Sequence, residues 1–146
     1  MRIKKNFNHY VLLVSKKAIS LVKWQDQTLS EVRDGVFPIS FKDDYEYSRS
    51  SRGTSFGYAL KNFEKDKSII KKERFKQFLR DVNKKLKGYL NPDSTLFLVG
   101  TDHDRSDFKR ISDYNNCIGG EISGSYNASR IPQLKKPLSR LLVYSS

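Results

Sequence analysis

The sequence predicts an α/β fold: a single domain with a mixed sheet, one long basic helix and two shorter helices. Three observations predict it. The chain opens with short strand-like runs separated by polar turns. A helix-period apolar stripe follows at residues 67–90, and a fully apolar run, Leu96–Gly100, comes after it. Strand signals that alternate with helical ones point to a layered α/β domain rather than to a helical bundle or an all-β sandwich.

Each element has a local reason. Tyr10-Val11-Leu12-Leu13-Val14 is an apolar run of strand formers, and Ala18–Trp24 follows it across Ser15-Lys16-Lys17. Two such runs joined by a short polar turn read as an antiparallel hairpin. Gln25-Asp26-Gln27 makes a second turn before Thr28–Val32, so the opening is a three-strand antiparallel meander. Residues 34–58 lack a sustained period and carry Pro38, Gly53, Gly57 and a cluster of serines and arginines. A loop of this length inside a compact domain is either functional or disordered.

Phe75, Phe78, Leu79, Val82, Leu86 and Leu90 then recur at helical spacing. They form one apolar stripe that Gly88 and Asn91-Pro92 terminate. Leu96–Gly100, apolar throughout, reads as a central strand covered on both faces. Asp107–Ile111 reads as a short helix, and Cys117-Ile118 marks a last short strand. Ile131–Tyr144 is the final helix; Pro132 suits its first turn, while Pro137 should kink or split it. The whole chain, 1–146, reads as one domain with its core at about 8–143, in line with roughly 100–200 residues per domain.

Charge is the strongest global signal. Twenty-eight Lys and Arg oppose sixteen Asp and Glu, a net +12, with a pI near 9.8. An excess of this size draws in polyanions and gives salt-dependent affinity through counterion release. It is unevenly spread: residues 61–90 hold eleven Lys and Arg against four acids, a surplus of seven. The sequence thus predicts phosphate contact from the helix face that bears Lys71, Lys72, Arg74, Lys76, Arg80 and Lys84, with Lys85 and Lys87 beside them. A merely solvated basic face is the alternative.

Other chemistries find little support. One cysteine, Cys117, excludes an internal disulfide, and with two histidines the chain offers no evident metal site. No cofactor is expected. The apolar run near the N-terminus is too short for a signal-peptide core, and no stretch approaches a bilayer span. The expectation is a cytoplasmic protein with no membrane partner. Asp102-His103-Asp104, after the apolar strand, reads as an acid/base or metal cluster or as ordinary turn residues. Tyr45 and Tyr47 can stack on bases or pack on their own domain.

The order of elements resembles the middle domain of the archaeo-eukaryotic class 1 peptide-chain release factors and their Pelota relatives, and most of all their bacterial relatives. Tyr10–Ser15 with Ala18–Val22 resembles the family's opening hairpin. Leu96-Phe97-Leu98-Val99-Gly100-Thr101 with Phe108-Lys109-Arg110-Ile111-Ser112 resembles the strand and helix of the bacterial members. Gly124-Ser125-Tyr126-Asn127, then Leu134 and Pro137, resembles their small-residue loop and last helix. In the release factors, the loop before the long helix carries a Gly-Gly-Gln tip that positions the water cleaving peptidyl-tRNA. Ser50-Ser51-Arg52-Gly53-Thr54-Ser55-Phe56-Gly57 stands at that place here.

One glycine and a basic neighbour remain; the second glycine and the glutamine are missing. The resemblance therefore does not carry hydrolysis over, and whether the chain is an enzyme stays open. Gly53, Thr54 and Ser55 are the candidate catalytic positions, and Arg49 and Arg52 the candidate phosphate contacts of the tip. The resemblance implies a ribosome- or tRNA-binding domain of the translation release or ribosome-rescue class, with the ribosome, tRNA and other translation factors as partners. Two other readings stand beside it: an RNA-acting hydrolase, either peptidyl-tRNA hydrolase or nuclease, and a basic adaptor for an acidic protein.

Overall fold

The structure, a computed structural model, describes residues 9–25, 28–41 and 56–145, with side chains outside 56–66, 128 and 142–145. Its strands are β1 (His9–Val14), β2 (Ala18–Gln25), β3 (Thr28–Glu31), β4 (Ile39–Ser40), β5 (Thr95–Gly100) and β6 (Ile118–Ser123). Its helices are α1 (Phe56–Leu86), α2 (Asp102–Ile111) and α3 (Lys135–Ser145), with 3₁₀ turns at Asn115–Cys117 and Ala128–Leu134.

The six strands form one mixed sheet in the order β3-β2-β1-β5-β6, and β4 pairs with the start of β2 on the edge that β3 occupies farther along. β1, β2 and β3 are an antiparallel meander. β5 runs parallel to both β1 and β6, so Leu96–Gly100 lies inside the sheet as its sequence predicts. The β1–β2 turn is set by Ser15, whose Oγ accepts from the Lys17 and Ala18 amides (3.2 and 3.1 Å) and donates to the Ala18 carbonyl (2.8 Å).

Strand alternation builds two cores. One face of the sheet presents Tyr10, Leu12, Val14, Ile19, Leu21, Leu96 and Leu98 to α1 and α2, which contribute Phe75, Phe78, Leu79, Val82, Leu86 and Phe108. The other presents Val11, Leu13, Val22, Trp24, Phe97 and Val99 to Ile131, Leu134 and Leu138. Because side chains alternate along a strand, both faces of β1 and β5 are apolar, and both must be covered by helices. Burial of this kind contributes roughly 25 cal/mol per Å² of apolar surface.

The observed elements depart from the sequence expectation in four places. The long helix starts at Phe56, well before Lys67, and the 34–58 segment, expected as an unbroken loop, contains β4. α2 begins at Asp102 because Thr101 caps it, its side chain accepting from the Asp104 amide at 3.1 Å. Asp102-His103-Asp104 is therefore a first helical turn, not a loop turn. The last strand begins at Ile118 and runs to Ser123, while Cys117 closes a 3₁₀ turn. Finally, the C-terminal helix is split, as expected, but after Leu134 rather than at Pro137, which stands in the first turn of α3, where a missing N–H costs no helical bond.

Candidate nucleic-acid interface

Apolar spacing fixes which side of α1 faces water. With Phe75, Phe78, Leu79, Val82 and Leu86 turned to the sheet, Lys72, Lys76, Arg80 and Lys84 fall at intervals of four along one flank of the helix, in a line that winds from beside the buried stripe to the side opposite it, and all four are exposed. Residues four apart lie one above another on a helix, about 6 Å apart along its axis. These cations therefore make a single row. Lys71, Lys85 and Lys87 are also exposed, and Arg74 is half-buried.

Pairing distinguishes this row from the cations of α2. Lys76 pairs with Glu73 at 3.5 Å, with both side chains half exposed or more. Lys72, Arg80 and Lys84 form no ion pair with a described residue, and Asp81 instead accepts from Gln77 at 3.2 Å. On α2 every cation is engaged. Arg105 donates to Glu121 (2.5 Å), to Asp102 and to the Gly100 carbonyl (2.9 Å), Lys109 pairs with Glu121 (2.8 Å), and Arg110 with Asp107 (3.5 Å). Burial pushes the Glu121 carboxyl up, but the hydrogen bonds from Lys109 and Arg105 outweigh it and hold the group below its usual range. That network is a clamp between α2 and β6. Of the α1 row, only Lys76 has an acidic partner among the described residues.

The helix also carries its charge beyond the sheet. Upstream of Phe75, none of the described side chains from Lys67 to Arg74 is buried, and Ile69 is 54% exposed. Phe41, at the end of β4, packs on Phe75 and Phe78 with ring centroids 5.4 and 4.9 Å away. The chain thus leaves the sheet beside Phe75 and rejoins the described structure at Phe56. At 1.5 Å per residue, that is about 28 Å farther up the helix. Arg49, Arg52, Gly53, Thr54 and Ser55, with Tyr45 and Tyr47, belong to the intervening segment and lie outside the described residues.

The base of α1 is fixed to the domain at its other end. Asp34 accepts from the Val36 and Phe37 amides (3.0 and 3.2 Å) and from the Tyr89 hydroxyl. Those contacts, Tyr89 foremost, hold the Asp34 carboxyl below its usual range. Burial, reinforced by the hydrogen bond to Asp34, pushes the Tyr89 phenol up to about 12. Tyr89 in turn packs edge-on against the buried Phe37 at 5.4 Å. Neither residue stands out in the sequence; the Asp34–Gly35 turn is the available signal.

The Asp102-His103-Asp104 cluster takes a different form from the one its spacing suggests. Asp102 turns to Arg105 and Ser123, and the grouping that helical geometry brings together is His103, Asp104 and Asp107, their ligand atoms within 4.8 Å. His103 Nδ1 lies 3.1 Å from Asp107 Oδ2, and Asp107 also meets Arg110. His103 and Asp107 satisfy one another at the surface.

A family model, bacterial archaeo-eukaryotic release factor family 3, matches residues 8–143. The chain belongs to that family. The match runs from the start of β1 into α3, so it takes in the whole sheet, both helical layers and the segment before α1. As a member of this release-factor family the chain has a translation-related function. No curated protein matches it. Among the described residues, no helix is long and apolar enough to cross a membrane.

Proposed function

We propose that this family member is a ribosome- or tRNA-binding domain of the release or rescue class, which holds RNA through the exposed face of α1. The observation that carries the reading is the row Lys72, Lys76, Arg80 and Lys84, in which three of the four cations have no ion pair with a described residue. A row of cations left without acids suits a ligand that brings its own negative charges at regular spacing, which a nucleic-acid backbone does. Arg49 and Arg52 extend that phosphate contact toward the tip segment, with Gly53 allowing close backbone approach. Thr54 and Ser55 stand where the family's glutamine would position water, and neither side chain has an evident base in the sequence. The activity proposed is therefore binding rather than peptidyl-tRNA hydrolysis, in the cytoplasm, without a cofactor.

The test is RNA binding measured across a salt series. Lys72→Glu, Lys76→Glu and Lys84→Glu together should weaken binding to any RNA sequence and flatten the salt dependence, by about one logarithmic unit for each phosphate no longer held. Unchanged binding reduces the row to a solvated face. Pull-down after nuclease treatment separates this reading from an adaptor for an acidic protein, because only the adaptor keeps its partner.

A further inference from the structure

Behind the sheet, on the side away from α1, the chain carries a second concentration of positive charge. From Ile122 to Ser146 there is no Asp or Glu, whereas Arg130, Lys135, Lys136 and Arg140 all fall in this stretch. The fold determines where they point. Ile131, Leu134 and Leu138 are buried against Val11, Leu13, Phe97 and Val99, with Leu141 packed beside them, so Arg130, Lys135, Lys136 and Arg140 are left on the outer side. All four cations are exposed. None forms an ion pair with a described residue, in contrast to the fully engaged cations of α2. Lys136 and Arg140 lie four apart, one above the other on α3.

Arg130 is held in a receptive posture. Its Nη1 donates to the Ser125 carbonyl (2.9 Å) and its Nε to Gln133 Oε1 (3.1 Å), and the guanidinium carbon sits 5.0 Å from the Tyr126 ring centroid. Its Nη2 bonds to no described residue. A guanidinium that is already oriented loses less side-chain freedom when it meets an anion, and its planar fork matches a phosphate. Exposed Ser125, Asn127 and Ser129 surround it.

We propose that the outer surface formed by Arg130, Lys135, Lys136 and Arg140 is a second phosphate-binding site for RNA. With the α1 row, it lets the domain contact two RNA segments at once. The inference rests on the RNA-binding reading of α1 and adds to it. The two cation surfaces face away from each other with the sheet between them, so a flat RNA surface reaches one at a time. A cleft walled by RNA on both sides reaches both. A ligand of that shape explains why a thin domain leaves unpaired cations on opposite faces.

Bridging tests it. Two short RNA duplexes with different fluorophores are mixed with the full chain at limiting concentration, and energy transfer between them reports a ternary complex. The wild type should bring the duplexes together. A chain with Lys135→Glu, Lys136→Glu and Arg140→Glu should still bind one duplex through α1, lose energy transfer, and show a salt slope reduced by up to about three. The neutral set, Lys135→Gln, Lys136→Gln and Arg140→Gln, should lose energy transfer too, which separates the missing cations from added repulsion. If the triple variants bridge like the wild type, the α3 surface is merely solvated and the proposal fails, while the α1 reading stands. If the wild type binds no RNA, both fail. If a chain carrying Lys72→Glu, Arg80→Glu and Lys84→Glu binds polyglutamate but no RNA at matched charge, the α3 surface is one for an acidic protein, and the proposal is overturned.

Discussion

Asn83 on α1 and Asp113 just after α2 hold each other twice: Asn83 Nδ2 donates to Asp113 Oδ2 at 2.9 Å, and the Asp113 amide donates to Asn83 Oδ1 at 3.0 Å. Asn83 is one of the few buried polar side chains, 7% exposed, so both ends of its amide are used where water is scarce. The pair fixes α1, the helix that carries the basic row, against the end of α2. Asn83→Ala should therefore destabilise the domain by about 1–3 kcal/mol in urea unfolding and leave RNA affinity of the folded protein unchanged. Weaker RNA affinity at undiminished stability contradicts this role.

Acid should loosen the other side of α2. The Glu121 carboxyl is held below its usual range by Lys109 and Arg105. A carboxyl of this kind contributes stability above its unfolded pKa and loses it as pH falls through the folded value. Thermal unfolding of the wild type should lose stability below about pH 4.5, the ordinary value for this group. Glu121→Gln should be less stable at neutral pH, and its curve should converge with that of the wild type in acid. Parallel curves at every pH remove Glu121 from the clamp.

Gly100 should tolerate no side chain. A Cβ built there lies 2.7 Å from the Val14 carbonyl oxygen on the neighbouring strand, and backbone inside a sheet has little room to shift. Gly100→Ala is expected to cost about 1–3 kcal/mol as an overpacking change. A melting temperature unchanged from the wild type shows that β1 and β5 part without cost.

Most of this fold is legible in the sequence because its apolar residues keep one period at a time. Leu96–Val99 and Val11–Leu13 are apolar at consecutive positions, which only a strand covered on both faces requires. The stripe from Phe75 to Leu86 fixes both the buried side of α1 and, by subtraction, its basic side. What the apolar period does not reveal is set by caps or by contacts distant in sequence. β4 joins the sheet through two pairings with β2, Ile39 with Ile19 and Ser40 with Ala18, too short a run for alternation to register. α2 begins at Asp102 because of the Thr101 cap, a Thr followed three residues later by an acid, a pattern that can be read in sequence. Phe56, Ala59, Leu60 and Phe63 also fall at helical spacing, so the early start of α1 has a sequence signal, though a charged stretch at residues 64–67 separates it from the stripe downstream. The α3 surface gives only a faint sequence signal, a stretch without acids, since its four cations spread over eleven residues, Arg130 to Arg140, form no run; they converge only when Leu134 and Leu138 turn inward.

The tip segment yields a prediction from its composition. Residues 48–55 hold serines, arginines, a glycine and a threonine, with no large apolar side chain. Gly53→Val should then keep the domain within about 0.5 kcal/mol of wild-type stability, as surface substitutions do, while reducing RNA binding on the ribosome. Unfolding of the domain by Gly53→Val contradicts the assignment. Thr54→Gly combined with Ser55→Gln rebuilds the family's pattern around Gly53, and release of peptide from peptidyl-tRNA by that variant supports placing the tip there.

Sedimentation with ribosomes through sucrose gradients tests the central claim most directly. The wild type should travel with ribosomes at low salt and return to the top of the gradient as salt rises. A chain with Lys72→Glu, Lys76→Glu and Lys84→Glu should leave the ribosomes at lower salt than the wild type does, because it lacks the phosphate contacts proposed for the α1 row. A wild type that stays at the top even at low salt, or a charge-reversed chain that travels with ribosomes as well as the wild type does, contradicts the account.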